Sequence, residues 1–179
     1  PFNINDSVNK PLSLYGATKR TNELIAYSYS HLYGLNSTGL RFFTVYGPWD
    51  RPDMAMYIFT NNILNNKSIP VFNNGNLKRD FTYIDDIVAG IYSAIEKNYK
   101  FEIFNLGNNK SIKLLDMIKM IEKSLNIKAK IDFKPMQPGD VMETYADIDY
   151  STNKLNYKPT INIEKGIPLM VDWHKDYYG

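Results

Sequence analysis

The chain has 179 residues, of which 44% are hydrophobic and 22% are charged, and these values are typical of a globular protein. The formal net charge is +2 and the basic residues are scattered, which argues against nucleic acid or a membrane surface as a partner. Without cysteine, with only two distant histidines and with no long apolar stretch, the chain predicts no disulfide, no metal site and no membrane span, and it fits a reducing cytoplasm.

Helices and strands alternate along the chain, which predicts an α/β protein with a parallel sheet. After a loop over residues 1–12, the pattern predicts a helix over 13–33 that Gly34 ends, a strand over 38–46, and a helix over 53–65 that Asp53 caps. Strands over 69–72 and 81–83 enclose a turn, and Asp85 and Asp86 are predicted to cap a helix that runs to residue 97. The later elements are predicted as strands over 101–106 and 129–133, helices over 114–125 and 151–155, a loop over 134–140, and a helix over 163–178 that Pro168 kinks or delays.

Tyr15 and Lys19 stand four residues apart in the first predicted helix, so their side chains share one helix face. An ammonium beside a phenol favours the phenolate, which can then accept a proton. The spacing alone is weak, because chance gives about one such pair and Tyr150 with Lys154 forms another. Helix starts face the ligand crevice in a βα arrangement. We therefore predict Tyr15 and Lys19 as catalytic and the second pair as structural.

The ten glycines are not spaced as G-x-G-x-x-G or G-x-x-G-x-x-G, and the sequence contains no P-loop. The chain therefore has a candidate base but no glycine loop that would cradle the pyrophosphate of a dinucleotide. Arginine is rare beside lysine, which draws attention to Arg51 and Arg79, because the planar guanidinium suits phosphate and carboxylate groups.

Five ordered blocks together resemble a known family. The blocks are SLYGATK, GLRFFTVYGPWDRPDMA, RDFTYIDDIVAGI, FNLGN and MQPGDVMETYADI. They are similar to the C-terminal half of the extended short-chain dehydrogenase/reductases, and among these to the NAD-dependent nucleotide-sugar epimerases, nearest to UDP-glucuronate 4-epimerase. The resemblance covers essentially the whole chain.

The resemblance implies a fold and a division into domains. The expected fold is α/β, with the C-terminal part of a Rossmann-type parallel sheet and a small α/β substrate-binding domain, the N-terminal Rossmann half being absent. Residues 1–47 would hold the catalytic helix and the following strand of the Rossmann domain. Residues 48–179 would mainly form the nucleotide-sugar-binding domain, with 84–106 returning to the Rossmann sheet.

The resemblance also implies roles for single residues. Tyr15 would be the base, Lys19 would activate it, and both would contact NAD at a site that is incomplete in this chain. Thr44, Arg51, Arg79 and Asp140 would bind the substrate: Thr44 beside the sugar diphosphate, Arg51 on the diphosphate or the uronate carboxylate, Arg79 on the UDP phosphates, and Asp140 on the uridine ribose. Gln137 stands where glucose/galactose-type epimerases tend to have arginine, which favours glucuronate. Asp50 departs from the glycine common at its position and places an acid beside this anion site.

The implied activity interconverts UDP-glucuronate and UDP-galacturonate at C4 through a 4-keto intermediate, for polysaccharide precursor synthesis. The expected partners are a UDP-sugar and either a second copy or the N-terminal half, and the chain alone is expected to be inactive. Two alternatives stay open. One is a non-catalytic nucleotide-sugar-binding or assembly module, and the other is a related dehydratase or decarboxylase whose acidic residues would lie upstream.

Overall fold

The computed structural model describes residues 1–137 and 139–178. Within them helices and strands alternate as predicted. The helices are α1 (Leu14–Tyr33), α2 (Ala55–Leu64), α3 (Ile84–Lys97), α4 (Leu114–Leu125), α5 (Asp149–Leu155) and α6 (Ile163–Tyr178). The strands are β1 (Ser37–Phe42), β2 (Thr44–Tyr46), β3 (Ser68–Phe72), β4 (Lys78–Tyr83), β5 (Phe101–Leu106), β6 (Ser111–Lys113) and β7 (Lys130–Lys134).

The pairing of the strands is mostly parallel, which confirms the predicted α/β class. β1 pairs with β5, β2 with β4 and β3 with β7 in parallel, and the β4–β6 pair is antiparallel. Because β4 carries β2 on one edge and β6 on the other, it is the central strand of its sheet.

The predicted strand over 38–46 is two strands in the structure. β1 runs beside β5 from the Ser37–Phe101 pair to the Phe42–Leu106 pair, whereas β2 runs beside β4. The break falls at Phe43, whose backbone N–H donates to the Leu106 carbonyl over 3.1 Å. The chain changes partner at this residue and so passes from one sheet to the next.

Two predicted helix caps are wrong. α2 begins at Ala55 with Met54 as its N-cap, and the Asp53 carboxylate contacts the Arg51 guanidinium instead. α3 begins at Ile84, and the carboxylate of Asp86 in its first turn accepts hydrogen bonds from the backbone N–H groups of Thr160 and Ile161. Asp86 therefore holds the loop before α6.

The C-terminal end of α1 is as predicted, while Ser13, predicted as the first helical residue, is its N-cap. The Ser13 hydroxyl accepts a hydrogen bond from the Gly16 N–H over 3.1 Å at the start of α1, and Gly34 ends that helix with a φ of 68°. α6 starts at Ile163, so Pro168 lies inside the helix and does not delay it.

Two groups of buried side chains form the interior. The larger core joins α2, β3, β4, α4 and α6 through residues such as Met56, Val71, Phe81, Met117 and Val171. The smaller core joins α3, β5 and α5 through Ile87, Phe104, Leu106, Leu155 and Tyr157. The domain boundaries drawn from the sequence stay a prediction.

α1 lies on the outside of both cores. Only Ser30 of this helix is buried, and its hydroxyl donates to the Lys100 carbonyl over 2.8 Å. The Arg41 guanidinium donates twice to the Glu23 carboxylate, at 2.7 and 2.9 Å, and this bonding lowers the pKa of Glu23. The helix exposes eight large apolar or aromatic side chains, which are Leu14, Tyr15, Leu24, Ile25, Tyr27, Tyr29, Leu32 and Tyr33. No helix in the described ranges is both long and apolar enough to cross a membrane.

Candidate functional site

The first turns of α1 bring Tyr15 and Lys19 together. The Lys19 ammonium lies 5.2 Å from the centroid of the Tyr15 ring, as four-residue spacing on a helix requires. The Tyr15 side chain is 72% exposed, so its hydroxyl is accessible to a ligand from outside the chain. The catalytic role of the pair stays a prediction, and the geometry places the phenol and the ammonium together on one exposed helix face.

The second tyrosine–lysine pair has different surroundings. The Lys154 ammonium lies 5.9 Å from the Tyr150 ring centroid, and the Tyr150 hydroxyl donates to the Glu102 carboxylate over 2.9 Å. Burial, together with this bond to an acid, raises the pKa of Tyr150. A phenol that is held in its protonated form by a carboxylate is a poor base, which agrees with a structural role.

Arg79 and Asp140 form the second part of the candidate site. Arg79 lies on β4, and its Nη2 donates to Asp140 Oδ1 over 2.6 Å, although 61 positions separate the two residues. The guanidinium also donates to the Lys78 carbonyl, at 2.8 Å. The side chains are 17% and 30% exposed, respectively, so the ion pair is largely removed from solvent but still reachable. The structure thus joins two of the four predicted substrate residues.

Residues 139–147, which we call the crossing segment, hold Asp140 against β4. The Lys78 N–H donates to the Met142 carbonyl over 2.9 Å, and the Thr144 N–H donates to the Lys78 carbonyl over 3.2 Å. On its other side the segment is bonded to the start of the chain, where the Phe2 N–H donates to the Tyr145 carbonyl over 2.8 Å. The segment is therefore tied on both sides by backbone hydrogen bonds.

Asp80 is the residue of this region that the sequence reasoning missed. Its side chain is completely buried, and its carboxylate accepts hydrogen bonds from the backbone N–H groups of Asn108 and Ala146, at 2.7 and 3.0 Å, and from the Thr82 hydroxyl, at 3.0 Å. Burial raises the pKa of Asp80 while these hydrogen bonds oppose the rise. An acid within RDFTY, a segment rich in strand-forming residues, is the signal that could have revealed it, since a buried carboxylate requires partners.

Asp80 connects β4, the end of β5 and the crossing segment. The approach is close at Gly107, where a Cβ atom would lie 2.5 Å from the Ala146 Cβ and 2.9 Å from Asp80 Oδ2. Only a residue without a side chain fits there without displacing its neighbours. Asp80 thereby fixes the crossing segment one residue away from Arg79.

Arg51 and Thr44 are placed separately. The Arg51 side chain is 74% exposed, and its Nη2 contacts Asp53 Oδ2 at 3.2 Å. Thr44 is half-buried at the start of β2, in register with Phe81 of β4. Among the hydrogen bonds and ion pairs of the described residues, none joins Arg51 or Thr44 to Arg79 or Asp140.

Asp50 is the acid that the sequence places beside the anion site. Its Oδ1 accepts the Arg51 backbone N–H over 2.9 Å, while its Oδ2 is buried and has no hydrogen-bond partner in the described part of the chain. Burial raises the pKa of Asp50 to about 6. The folded protein therefore holds a proton at this carboxyl more tightly than the unfolded chain does.

This pKa predicts a pH-dependent stability. Because the pKa is higher in the folded state, the free energy of unfolding should fall as the pH rises from about 4 to about 6 and should stay lower above that range. Asp50→Asn should therefore stabilise the fold at pH 7.5 by about 1 kcal/mol, a value discounted for partial solvent screening, and by much less at pH 4. Urea unfolding at both pH values measures this, with Asp53→Asn as an exposed control. An equal gain at both pH values would contradict the prediction.

An open cavity adjoins the crossing segment. It has a volume of about 550 Å³ and is lined by Lys78, Lys113, Lys119, Met142 and Glu143, among others. It does not include any of the six predicted site residues.

The comparison with protein families decides the classification. The model of the NAD dependent epimerase/dehydratase family matches residues 2–107, which is more than half of the chain. The chain belongs to this family. The predicted resemblance to NAD-dependent nucleotide-sugar epimerases is confirmed.

Individual relatives in this epimerase/dehydratase family support the classification. An uncharacterised protein of Methanocaldococcus jannaschii is 56% identical over 97% of the chain and 53% of its own length. A UDP-glucuronate 4-epimerase of Arabidopsis thaliana is 44% identical over 99% of the chain and 45% of its own length. The crystal structure of UDP-glucuronic acid 4-epimerase from Bacillus cereus, in complex with UDP-glucuronic acid and NAD, superposes with a TM-score of 0.90 at 37% identity. The superposed region covers 94% of this chain and 55% of the Bacillus cereus chain. The chain thus spans about half the length of the relatives it matches.

Proposed function

We propose that this chain is the nucleotide-sugar-binding and base-supplying part of an NAD-dependent epimerase that interconverts UDP-glucuronate and UDP-galacturonate through a 4-keto sugar. The observation that carries the proposal is the accessible Tyr15 with the Lys19 ammonium 5.2 Å from its ring. The Bacillus cereus relative, whose crystal structure holds UDP-glucuronic acid and NAD, supports the choice of substrate and cofactor.

The proton chemistry belongs to Tyr15. In the proposed reaction, Tyr15 accepts the proton from the sugar C4 hydroxyl as that carbon is oxidised to the ketone, with the Lys19 ammonium beside its ring. Tyr15 then returns the proton to the C4 oxygen when hydride is delivered to the opposite face of the ketone. NAD, when bound, supplies the acceptor and donor of the hydride.

The residues present fit one end of the cofactor. Tyr15 and Lys19 offer a hydroxyl and an ammonium on an exposed helix face, which suits the hydroxyl-bearing nicotinamide ribose. These 179 residues contain no glycine loop for the pyrophosphate. The two residues alone would therefore hold NAD weakly.

The substrate would be held by the charged residues that the structure places around β4. The half-buried Arg79, oriented by Asp140, presents a preorganised guanidinium to the UDP phosphates, and Asp140 can also accept from the ribose hydroxyls. The exposed Arg51 is free to approach a second anionic group, either the diphosphate or the uronate carboxylate. Thr44 offers a hydroxyl from the adjacent strand.

Titration calorimetry of the 179-residue chain tests the proposal. We expect UDP-glucuronate to bind with a dissociation constant in the micromolar to millimolar range, and NAD to give no measurable heat because its pyrophosphate site is missing. UDP-glucose is the control for the uronate carboxylate and should bind more weakly. Absence of UDP-glucuronate binding at millimolar concentration would contradict the proposed function.

The apolar face of α1 is proposed to contact a second copy of the chain. Apart from Tyr15, seven large apolar or aromatic side chains of this helix are exposed, and large exposed apolar surfaces are rare on monomers. The adjacent strand β1 pairs with β5 on one edge, and in the described part of the chain no strand pairs with its other edge. Helix face and strand edge together form one continuous surface that a second copy can cover.

Sedimentation equilibrium is expected to show self-association of the wild-type chain. Leu24→Glu with Ile25→Glu should shift the protein to monomer, because two buried carboxylates would oppose the apolar contact. The control is Tyr92→Glu with Ile95→Glu on α3, whose side chains are even more exposed, and it should leave the association unchanged. A wild-type chain that stays strictly monomeric at high concentration would contradict the proposed self-association.

A further inference from the structure

Three aromatic side chains join the loop that carries Arg51 to the last helix. The ring of Trp49 lies 5.6 Å from that of Trp173 and 4.9 Å from that of Tyr177, measured between centroids. Trp173 and Tyr177 stack on each other at 5.6 Å with an interplanar angle of 17°. We call these three residues the aromatic clamp. It connects residues 47–53 to the C-terminal turns of α6.

The backbone at Trp49 shows that the clamp holds the loop in place. Trp49 has a φ of 65°, a left-handed conformation that a bulky aromatic residue rarely adopts. Such a conformation persists only where the surroundings determine it. The Trp49 side chain is 71% exposed, so burial alone does not hold it, and its ring contacts with Trp173 and Tyr177 add to the backbone turn in fixing its position.

The loop is also anchored where it begins. Tyr46 is buried and its hydroxyl lies against Gly166 near the start of α6. At Gly47 the φ is 143°, and a Cβ atom would lie 2.5 Å from the Ile84 Cγ2. The loop is thus fixed at residues 46–47 on one side and at Trp49 on the other, before it reaches Arg51.

Arg51 follows the clamp directly. The Asp50 N–H donates to the Gly47 carbonyl over 3.3 Å, which closes a turn around Trp49, and the Arg51 carbonyl accepts from the Met54 N–H over 3.0 Å. Within residues 1–137 and 139–178, the Arg51 side chain has only the exposed contact with Asp53 and a long one with the Met54 sulfur. Its direction is therefore set by the backbone turn, and that turn depends on where the Trp49 ring is held.

We propose that the aromatic clamp positions Arg51 for the anionic group of the nucleotide sugar, with Trp49, Trp173 and Tyr177 as positioning residues. This inference rests on the proposed function, because it assigns Arg51 a ligand. It adds that the C-terminal turns of α6 control the affinity for the substrate without touching it.

A double-mutant cycle between Tyr177 and Arg51, with UDP-glucuronate binding as the readout, tests this coupling. Tyr177→Ala should weaken binding about fivefold, which is the size of one aromatic pair, and Tyr177→Phe should restore wild-type affinity. In the Arg51→Ala background, Tyr177→Ala should have less than about a twofold effect, because the residue it acts through is gone. Tyr92→Ala, an exposed tyrosine on α3, is the matched control and should change nothing.

Tryptophan fluorescence gives a second, independent readout. The chain contains only two tryptophans, Trp49 and Trp173, and both belong to the clamp. We expect UDP-glucuronate to change the tryptophan emission of the wild-type chain, and Arg51→Ala to abolish that change. A purely structural role of the clamp would not make its emission depend on Arg51.

The outcomes separate this inference from the proposed function. A wild-type chain that does not bind UDP-glucuronate overturns the proposed function and the inference with it. If the wild-type chain binds and Tyr177→Ala weakens the affinity for UDP-glucuronate equally in the presence and absence of Arg51, the inference alone is overturned. Retained affinity in Tyr177→Ala also overturns it.

Discussion

Asp80→Ala is expected to destabilise the fold by about 3 kcal/mol or more, the largest effect we predict for a single side chain. The substitution removes the acceptor of two backbone N–H groups, leaving that of Ala146 unpaired in the buried interior and that of Asn108 unpaired in a partly buried position. It also opens a cavity between β4, the end of β5 and the crossing segment, next to Gly107. Urea unfolding followed by circular dichroism measures the change.

Two further variants make this test specific. Asp80→Asn keeps the volume and one acceptor oxygen, so it should lose less stability than Asp80→Ala. Asp116→Ala removes an exposed acid from α4 that forms a surface ion pair with Lys119, and it should change the free energy of unfolding by less than about 0.5 kcal/mol. If Asp80→Ala cost no more than Asp116→Ala, the assignment of Asp80 as the tie between the three segments would be wrong.

Arg79→Ala is expected to weaken UDP-glucuronate binding by about 1.5–3 kcal/mol, which is roughly a tenfold to hundredfold rise in the dissociation constant. The guanidinium is only 17% exposed and is oriented by the 2.6 Å bond to Asp140, so its charge-assisted contact with a phosphate would be preorganised and poorly screened. Calorimetry with UDP and with UDP-glucuronate should show the same loss for both ligands, since both carry the diphosphate.

Two further variants, Arg79→Lys and Lys78→Ala, complete this experiment. Arg79→Lys keeps the charge but loses the planar fork, so its affinity should lie between those of wild type and Arg79→Ala. Lys78→Ala removes the neighbouring cation, which is 44% exposed and points to Glu143, and it should have a small effect. A loss in Arg79→Ala no larger than that in Lys78→Ala would remove Arg79 from the substrate site. Melting temperatures of all variants exclude unfolding as the cause.

Local signals in the sequence determined the elements that depend on local interactions. α1 could be predicted from its run of helix formers, from the Ser13 cap and from Gly34, whose left-handed φ of 68° is available to glycine at little cost. β5, α4 and α6 occur where the periodicity of apolar residues predicts them, because such a periodicity produces one apolar face, which is stable when it is buried in the core. The Tyr15–Lys19 proximity follows from four-residue spacing on a helix and needs no tertiary information.

Only the tertiary structure decided which distant groups meet. The continuous run of β-formers over 38–46 gave no sign that the strand changes partner at Phe43, because the break depends on β4 and β5, which come much later in the chain. Aspartate is a common helix-capping residue, yet the Asp53 carboxylate bonds to Arg51 and the Asp86 carboxylate bonds to the loop at Thr160. Hydrogen-bond acceptors take the donors that folding brings closest, and a one-dimensional pattern does not contain those distances.

The candidate site shows the same division. The resemblance to the epimerases singled out Arg79 and Asp140 separately, but folding makes them one ion pair across 61 positions. Asp80 and the contact of Trp49 with Tyr177 were not predicted, because a buried acid and an exposed aromatic acquire their roles from neighbours that are remote in sequence. The sequence by itself therefore determined the residue types of the proposed chemistry and the helix that carries the candidate base, Tyr15. The tertiary structure decided how the proposed binding groups are held, through the packing of β4 against the crossing segment and of the Arg51 loop against α6. These contacts join residues that are distant in sequence and form only when the chain folds.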